Sequence, residues 1–107
     1  MDTLLNTEHE ILAYIQRKYS HKKFLFFGPL LPVTLETDLR RDLKIIYEDA
    51  EELFTYYFDT WKIAPEQFSI DRYFNPEYLG SPKPDKPLES ITVRMLIESA
   101  KVGRWLY

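Results

Sequence analysis

The chain has 107 residues, a length that allows a single domain, since protein domains cluster near about 100–150 residues. It carries 17 acidic and 14 basic side chains, a formal net charge of −3, which argues against general nucleic-acid binding because that function needs a basic footprint. Cysteine is absent and no stretch approaches the roughly 18 apolar residues of a membrane span, which excludes disulfide frameworks and transmembrane proteins and favours a cytoplasmic one.

A first helix is predicted from about Thr7 to Tyr19. Thr7–Glu10 has the form of a capping box, in which the threonine hydroxyl accepts from a backbone amide and the glutamate reaches back to the cap. His9-Glu10 also begins an H-E-x-x-H pattern, but position 13 is alanine, so we expect no metal site. The apolar residues behind the cap recur at helical spacing: Ile11, Leu12, Ile15 and Tyr19.

The segment from 20 to 46 is open between a strand and a loop. Phe24–Phe27 is a run of four apolar residues, too short for periodicity to decide between a buried strand and a loop packed on the core. Gly28-Pro29 and Pro32 interrupt regular structure. Thr37–Leu39 and Asp42-Leu43 are typical of turns that bury their leucines.

The strongest pattern predicts a central helix over residues 47–61. Its apolar residues lie three and four positions apart, which places them on one face: Ala50, Leu53, Phe54, Tyr57, Phe58 and Trp61. No lysine or arginine occurs between Ile45 and Trp61. The segment therefore concentrates five negative charges, on Glu48, Asp49, Glu51, Glu52 and Asp59.

The last third of the chain predicts one short element and one helix. The short element is expected around Asp71–Phe74, and the proline-rich stretch Asn75–Pro87 that follows is expected to be a surface connection. Thr92 as N-cap and Gly103 at the C′ position predict a helix over 92–102. The chain is therefore expected to form an all-α domain of three main helices plus one short helix, with an α+β fold containing a small sheet as the alternative.

This order of features resembles an acyl carrier protein over most of the chain. After the capped helix and a long loop come a T-x-x-T-D-L-x-x-D-L pattern at 34–43, the acidic helix opening with Glu48–Leu53, and a last helix opening with Ile91–Val93. The chain is still more similar to a small uncharacterised family from enteric bacteria, some of whose members are labelled acyl carrier proteins and are similar in the ending Leu96–Trp105. The resemblance implies a single acyl carrier protein-like domain over residues 1–107.

The resemblance breaks at the position of the cofactor. A carrier protein attaches phosphopantetheine to the serine of an Asp-Ser-Leu triplet just before its second helix. Alignment of Asp42-Leu43 and the acidic run places that triplet on Ile46–Glu48, so Tyr47 stands where the serine should be. No serine occurs between Ser20 and Ser69. The resemblance therefore implies the fold and a docking surface, but no cofactor and no acyl carriage.

We expect an interaction module, not an enzyme, that docks a basic-surfaced protein and has no nucleic-acid or membrane partner. The residues expected to bind the partner are Glu48, Glu51, Glu52 and Asp59. A solvated face is the competing interpretation, because exposed first-turn acids gain about 0.3–1 kcal/mol each from the helix dipole. No catalytic residue is expected, because the sequence has neither a G-x-S-x-G elbow nor a phosphate-cradling glycine loop.

Two further alternatives come from other classes of protein. The first is a genuine acyl or peptidyl carrier with an atypical attachment residue. The second is a homodimeric structural protein or a small enzyme. Aromatic residues make up 16% of the chain, and a dimer would use those outside the core stripes, Tyr56, Tyr78 and Tyr107. A core that is simply rich in rings explains the same composition.

Overall fold

The computed structural model describes the backbone of residues 3–19, 22–24, 27–30, 32–76 and 87–107, and the side chains of 6–19, 32–76 and 87–107. Its elements in chain order are α1 (Thr3–Tyr19), β1 (Lys22–Phe24), β2 (Phe27–Leu30), α2 (Tyr47–Thr60), a short 3₁₀ helix (Ile70–Arg72) and α3 (Val93–Val102). The predicted helical class is confirmed, with three main helices and one short one. None of the described helices is long and apolar enough to cross a membrane.

The segment that was open between strand and loop contains a short antiparallel hairpin. β1 pairs with β2, Lys22 lies opposite Leu30, and Phe24 lies opposite Phe27, with an irregular register between the two pairs. Of the apolar run 24–27, Phe24 is the last residue of β1 and Phe27 is the first residue of β2. These two strands, of three and four residues, are an addition to a fold that is otherwise helical.

α1 begins four residues earlier than predicted. The helix extends back to Thr3, so Thr7 is its fifth residue and the capping-box interpretation is wrong. The physical reason is that residues 3–6 contain neither proline nor glycine, so nothing in the backbone ends the helix at Thr7. The predicted apolar face is nevertheless buried at Ile11, Ile15 and Tyr19.

α2 begins at Tyr47, as predicted, and turns the predicted stripe inward. Phe58 and Trp61 are half-buried, and four residues are fully buried: Ala50, Leu53, Phe54 and Tyr57. The Tyr57 hydroxyl donates a hydrogen bond of 2.6 Å to the carbonyl oxygen of Leu96 on α3, so a polar atom in the core is satisfied where two helices meet. Burial raises the pKa of the Tyr57 phenol, because the phenolate would lose its hydration.

α3 has both of the caps that the sequence predicted. The Thr92 hydroxyl accepts from the backbone N–H of Met95 at 3.3 Å. Gly103 ends the helix in the left-handed region at φ +90°, a conformation that other residues rarely adopt. The helix packs against α1, and its own buried face consists of Val93, Leu96, Ile97 and Ser99.

The aromatic residues of the core are centred on Trp105. Its side chain is buried, and six rings have centroids between 5.1 and 6.4 Å from its own: Phe54, Tyr57, Phe58, Phe68, Tyr73 and Tyr107. The backbone N–H of Trp105 donates to the carbonyl of Ala64 at 2.8 Å, which fixes the chain beyond α3 to the segment after α2. The core interpretation of the aromatic content holds for these rings except Tyr107, which is exposed.

Asp38, in the loop before α2, holds the middle of the chain against the residue that precedes the α3 cap. One carboxylate oxygen accepts the backbone N–H groups of Arg40 and Arg41 at 2.9 and 2.8 Å. The other accepts the N–H of Ile91 at 3.1 Å. Asp38 is only 6% exposed, so these three donors replace the water that its charge has lost. The Asp-Leu pairs of the sequence pattern are therefore structural, with Leu39 and Leu43 buried beside them.

Phe54→Ala is expected to lower the free energy of unfolding by about 3–5 kcal/mol, because the ring is buried and the cavity it leaves cannot be filled. Thr55→Ala, at the exposed neighbouring position, is the control and should change stability by less than about 0.5 kcal/mol. Urea unfolding followed by circular dichroism measures both. Equal midpoints for the two variants would show that the stripe is not the core.

Asp38→Asn is expected to cost about 1.5–3 kcal/mol, because an amide presents one acceptor oxygen in place of two and loses the charge that strengthens these bonds. Asp59→Asn, at an exposed position on α2, is the matched control and should leave stability nearly unchanged. Amide hydrogen exchange locates the loss, and we expect faster exchange at Arg40, Arg41 and Ile91. Unchanged protection of these three amides would contradict the assigned role.

Candidate functional site

The predicted partner-binding acids form one exposed surface of α2. All four are exposed, and at 100° per residue Glu48, Glu52 and Asp59 lie within about 40° of one another around the helix axis, with Glu51 at the edge. Leu53 and Tyr57 point to the opposite side, into the core. We call Glu48, Glu51, Glu52 and Asp59 the acidic face. The structure therefore places the four predicted residues together.

One member of the acidic face is paired within the chain. The Nζ atom of Lys18, near the end of α1, lies 2.9 Å from Oε1 of Glu52, and this hydrogen bond raises the pKa of Lys18. Glu48, Glu51 and Asp59 form no ion pair with any residue that the structure describes. The Lys18 contact was missed from the sequence, because 34 positions separate the partners and no local pattern links them.

Tyr47 is the first residue of α2, at the position that the resemblance assigns to the carrier serine. Its side chain is half-buried, and its hydroxyl donates a 3.1 Å hydrogen bond to Oδ1 of Asp71 in the 3₁₀ helix. Burial, and then this bond to a carboxylate, raise the pKa of the Tyr47 phenol. The hydroxyl is thus turned towards the 3₁₀ helix and engaged there.

A cavity of about 370 Å³ opens beside the start of α2. Three cationic side chains line it, Arg40 and Arg41 from the loop that Asp38 organises and Lys44 just before the helix. Sequence analysis did not single out these residues, because the pair Arg40-Arg41 and Lys44 match no local pattern that indicates a binding site. Their grouping depends on how the loop folds back against the 3₁₀ helix.

The aromatic residues that a dimer would use are in different surroundings. Tyr56 is 42% exposed and stacks on Tyr14 of α1 with ring centroids 4.3 Å apart. Tyr107 is 43% exposed and its hydroxyl donates to Oε1 of Glu98 at 2.8 Å. Tyr78 lies outside the described residues. The two described rings therefore each contact another part of the same chain.

Comparison with protein families gives one match, to a family described as a protein of unknown function (DUF1493), over residues 3–107. No curated protein and no solved structure matches the chain. The match spans α1 to α3 and includes the acidic face and Tyr47. Because the family description assigns no activity, the resemblance to acyl carrier proteins stays a prediction.

Proposed function

The chain belongs to the DUF1493 family, a family of unknown function, and we propose that it is an interaction module that docks a basic-surfaced protein through the acidic face of α2. The module has an acyl carrier protein-like helical fold, carries no phosphopantetheine and catalyses no reaction. The observation that carries the proposal is the acidic face itself. All four carboxylates are exposed, and among the described residues only Glu52 has an ion-pair partner, Lys18.

The distribution of charge along α2 favours docking over a merely solvated surface. A negative charge is stabilised in the first turn of a helix and is unfavourable in the last turn. Glu48 lies in the first turn, but Asp59 lies one residue from the end of α2, where the helix dipole opposes it. The dipole therefore does not account for Asp59, whereas a surface that attracts a basic partner does.

The acidic face has the dimensions of a focused docking site. Glu48 and Asp59 are eleven residues apart, which is about 16 Å along the helix axis. Charges spread over this distance attract a cationic surface before contact and speed the encounter, and salt screens them over roughly 8–10 Å. Lys18 neutralises the centre of the face at Glu52, so the two ends contribute most of the long-range attraction.

Glu51→Lys combined with Glu52→Lys is expected to weaken partner binding about tenfold or more, because it reverses two charges on the docking surface. The matched control is Glu36→Lys with Glu66→Lys, away from α2. Like Glu52, Glu36 forms an exposed ion pair, with Arg94, and like Glu51, Glu66 is exposed and has no ion-pair partner among the described residues. Partners are captured on the immobilised parent chain, identified by mass spectrometry, and their affinities are measured for all three proteins at low and high salt.

Two results decide this comparison. Weakening by the α2 variant alone, together with parent affinity that falls as salt rises, supports the acidic face. Equal affinity of the α2 variant and the parent, with no dependence on salt, would identify the carboxylates as a solvated surface. We expect both variants to fold, because all four substituted side chains are exposed, and thermal unfolding checks this.

Co-expression with a broad-specificity phosphopantetheinyl transferase is expected to leave the mass of the chain unchanged. The Tyr47 hydroxyl is a phenol engaged by Asp71, not a short serine hydroxyl at the helix start. Tyr47→Ser is the companion variant, because it restores the serine at the aligned position. A mass gain in the parent would identify a genuine carrier, whereas a gain only in Tyr47→Ser would support the fold resemblance without native carriage.

A further inference from the structure

The cavity beside the start of α2 combines three positive charges with an apolar wall. Arg40, Arg41 and Lys44 line one part, and none of the described residues that line it is acidic. Buried Ile45 and Phe74 and half-buried Leu88 also line the cavity, and we call these three the apolar wall. With about 370 Å³ of space, the cavity has room for an anionic group and for an organic body attached to it.

Arg40 is the fixed cation of this cavity. It is half-buried, and its Nε donates a 2.9 Å hydrogen bond to the carbonyl oxygen of Tyr73. Among the described residues, none accepts from its two terminal guanidinium nitrogens, which are the donors that we assign to a ligand. A partly buried charge is costly when no opposite charge accompanies it. No described carboxylate forms an ion pair with Arg40, Arg41 or Lys44.

The carboxylates nearest in sequence do not neutralise this group. Asp38 is occupied by the backbone N–H groups of Arg40 and Arg41, not by their guanidinium groups. Asp42, between Arg41 and Lys44, accepts the backbone N–H of Asp38 at 2.8 Å through Oδ2 and does not line the cavity. Glu48 and Asp49, in the first turn of α2, are exposed and do not line the cavity. They offset the dipole of the helix, so the attraction for an anion comes mainly from the three cationic side chains.

We propose that this cavity binds a phosphomonoester, with the phosphate on Arg40, Arg41 and Lys44 and the organic part against the wall of Ile45, Phe74 and Leu88. Guanidinium groups bind phosphate oxygens through paired, charge-assisted hydrogen bonds, and an ammonium adds a point charge. A phosphate dianion matches three cations better than a carboxylate with one charge. The apolar wall distinguishes an organic phosphate from the free ion.

Titration calorimetry at low ionic strength tests this site with phenyl phosphate and inorganic phosphate as the probes. We expect one saturable site for phenyl phosphate, with inorganic phosphate bound about threefold or more weakly because it does not cover the apolar wall. Arg41→Gln with Lys44→Gln is expected to raise the dissociation constant about tenfold or more, since it removes two charge-assisted contacts. Both side chains are exposed, so the fold should persist.

The matched control is Arg17→Gln with Lys62→Gln. It removes the same two residue types, and Lys44 and Lys62 share the same backbone conformation, with φ of 57° and 54°. Its effect on phosphate binding should stay below about twofold, because it lowers only the overall charge. Backbone amide shifts on titration should be confined to residues 40–48, 73–75 and 87–89 and be absent from Glu51, Glu52 and Asp59.

Each outcome decides the proposal. Preference for phenyl phosphate, lost in Arg41→Gln with Lys44→Gln and kept in the control, supports it. Equal affinity for the two probes would show that the apolar wall does not contact the ligand, and would assign the cavity to free phosphate and not to a phosphomonoester. Absence of saturable binding, or equal weakening in both double variants, would overturn the site, and neither result depends on whether the acidic face binds a protein.

Discussion

The buried carboxylate of Asp38 is the contact on which the arrangement of the rest of the chain depends. Its side chain accepts the N–H groups of the turn at 40–41 and also the N–H of Ile91, which lies 53 positions after Asp38. A charge with so little exposure is stable only while these donors stay in place. The turn therefore holds one shape, which sets where α2 begins and brings the cap of α3 beside it.

Opposite charges lie on two sides of the start of α2. The acidic face covers the outside of the helix, and Arg40, Arg41 and Lys44 line the cavity beside its first residue. The net charge of −3 does not reveal this separation, because it sums the acids of α2 with the cations at the cavity. For the basic partner that we propose, this distribution is expected to orient the approach as well as to attract it, because repulsion at the cavity would disfavour a basic surface in the wrong position.

The core beneath these surfaces is held by rings from α2, from Phe68 and Tyr73, and from Trp105 after α3. Trp105 is the central ring, and the Tyr57 hydroxyl bond to Leu96 links α2 to α3 within it. Edge-to-face ring contacts of this kind add to the free energy of burial and also fix geometry. A rigid α2 matters for both candidate sites, since the carboxylates and the cavity keep their positions only if the helix does.

The sequence by itself determined the elements whose signals are local. The apolar stripe of α2 repeats with the helical period, which located that helix and also predicted that its acidic face is exposed. The capping residues Thr92 and Gly103 located the two ends of α3. Local patterns did not identify the start of α1, because the residue types of a capping box at Thr7 also occur inside a helix. They did not decide the structure at 24–27, because four consecutive apolar residues have no period. Only the tertiary structure decided the pairing of Lys18 with Glu52, the bond from Tyr47 to Asp71 and the grouping of three cations around one cavity. These contacts join residues from separate elements, and their distances are set by helix packing and loop closure, which no short stretch of sequence encodes.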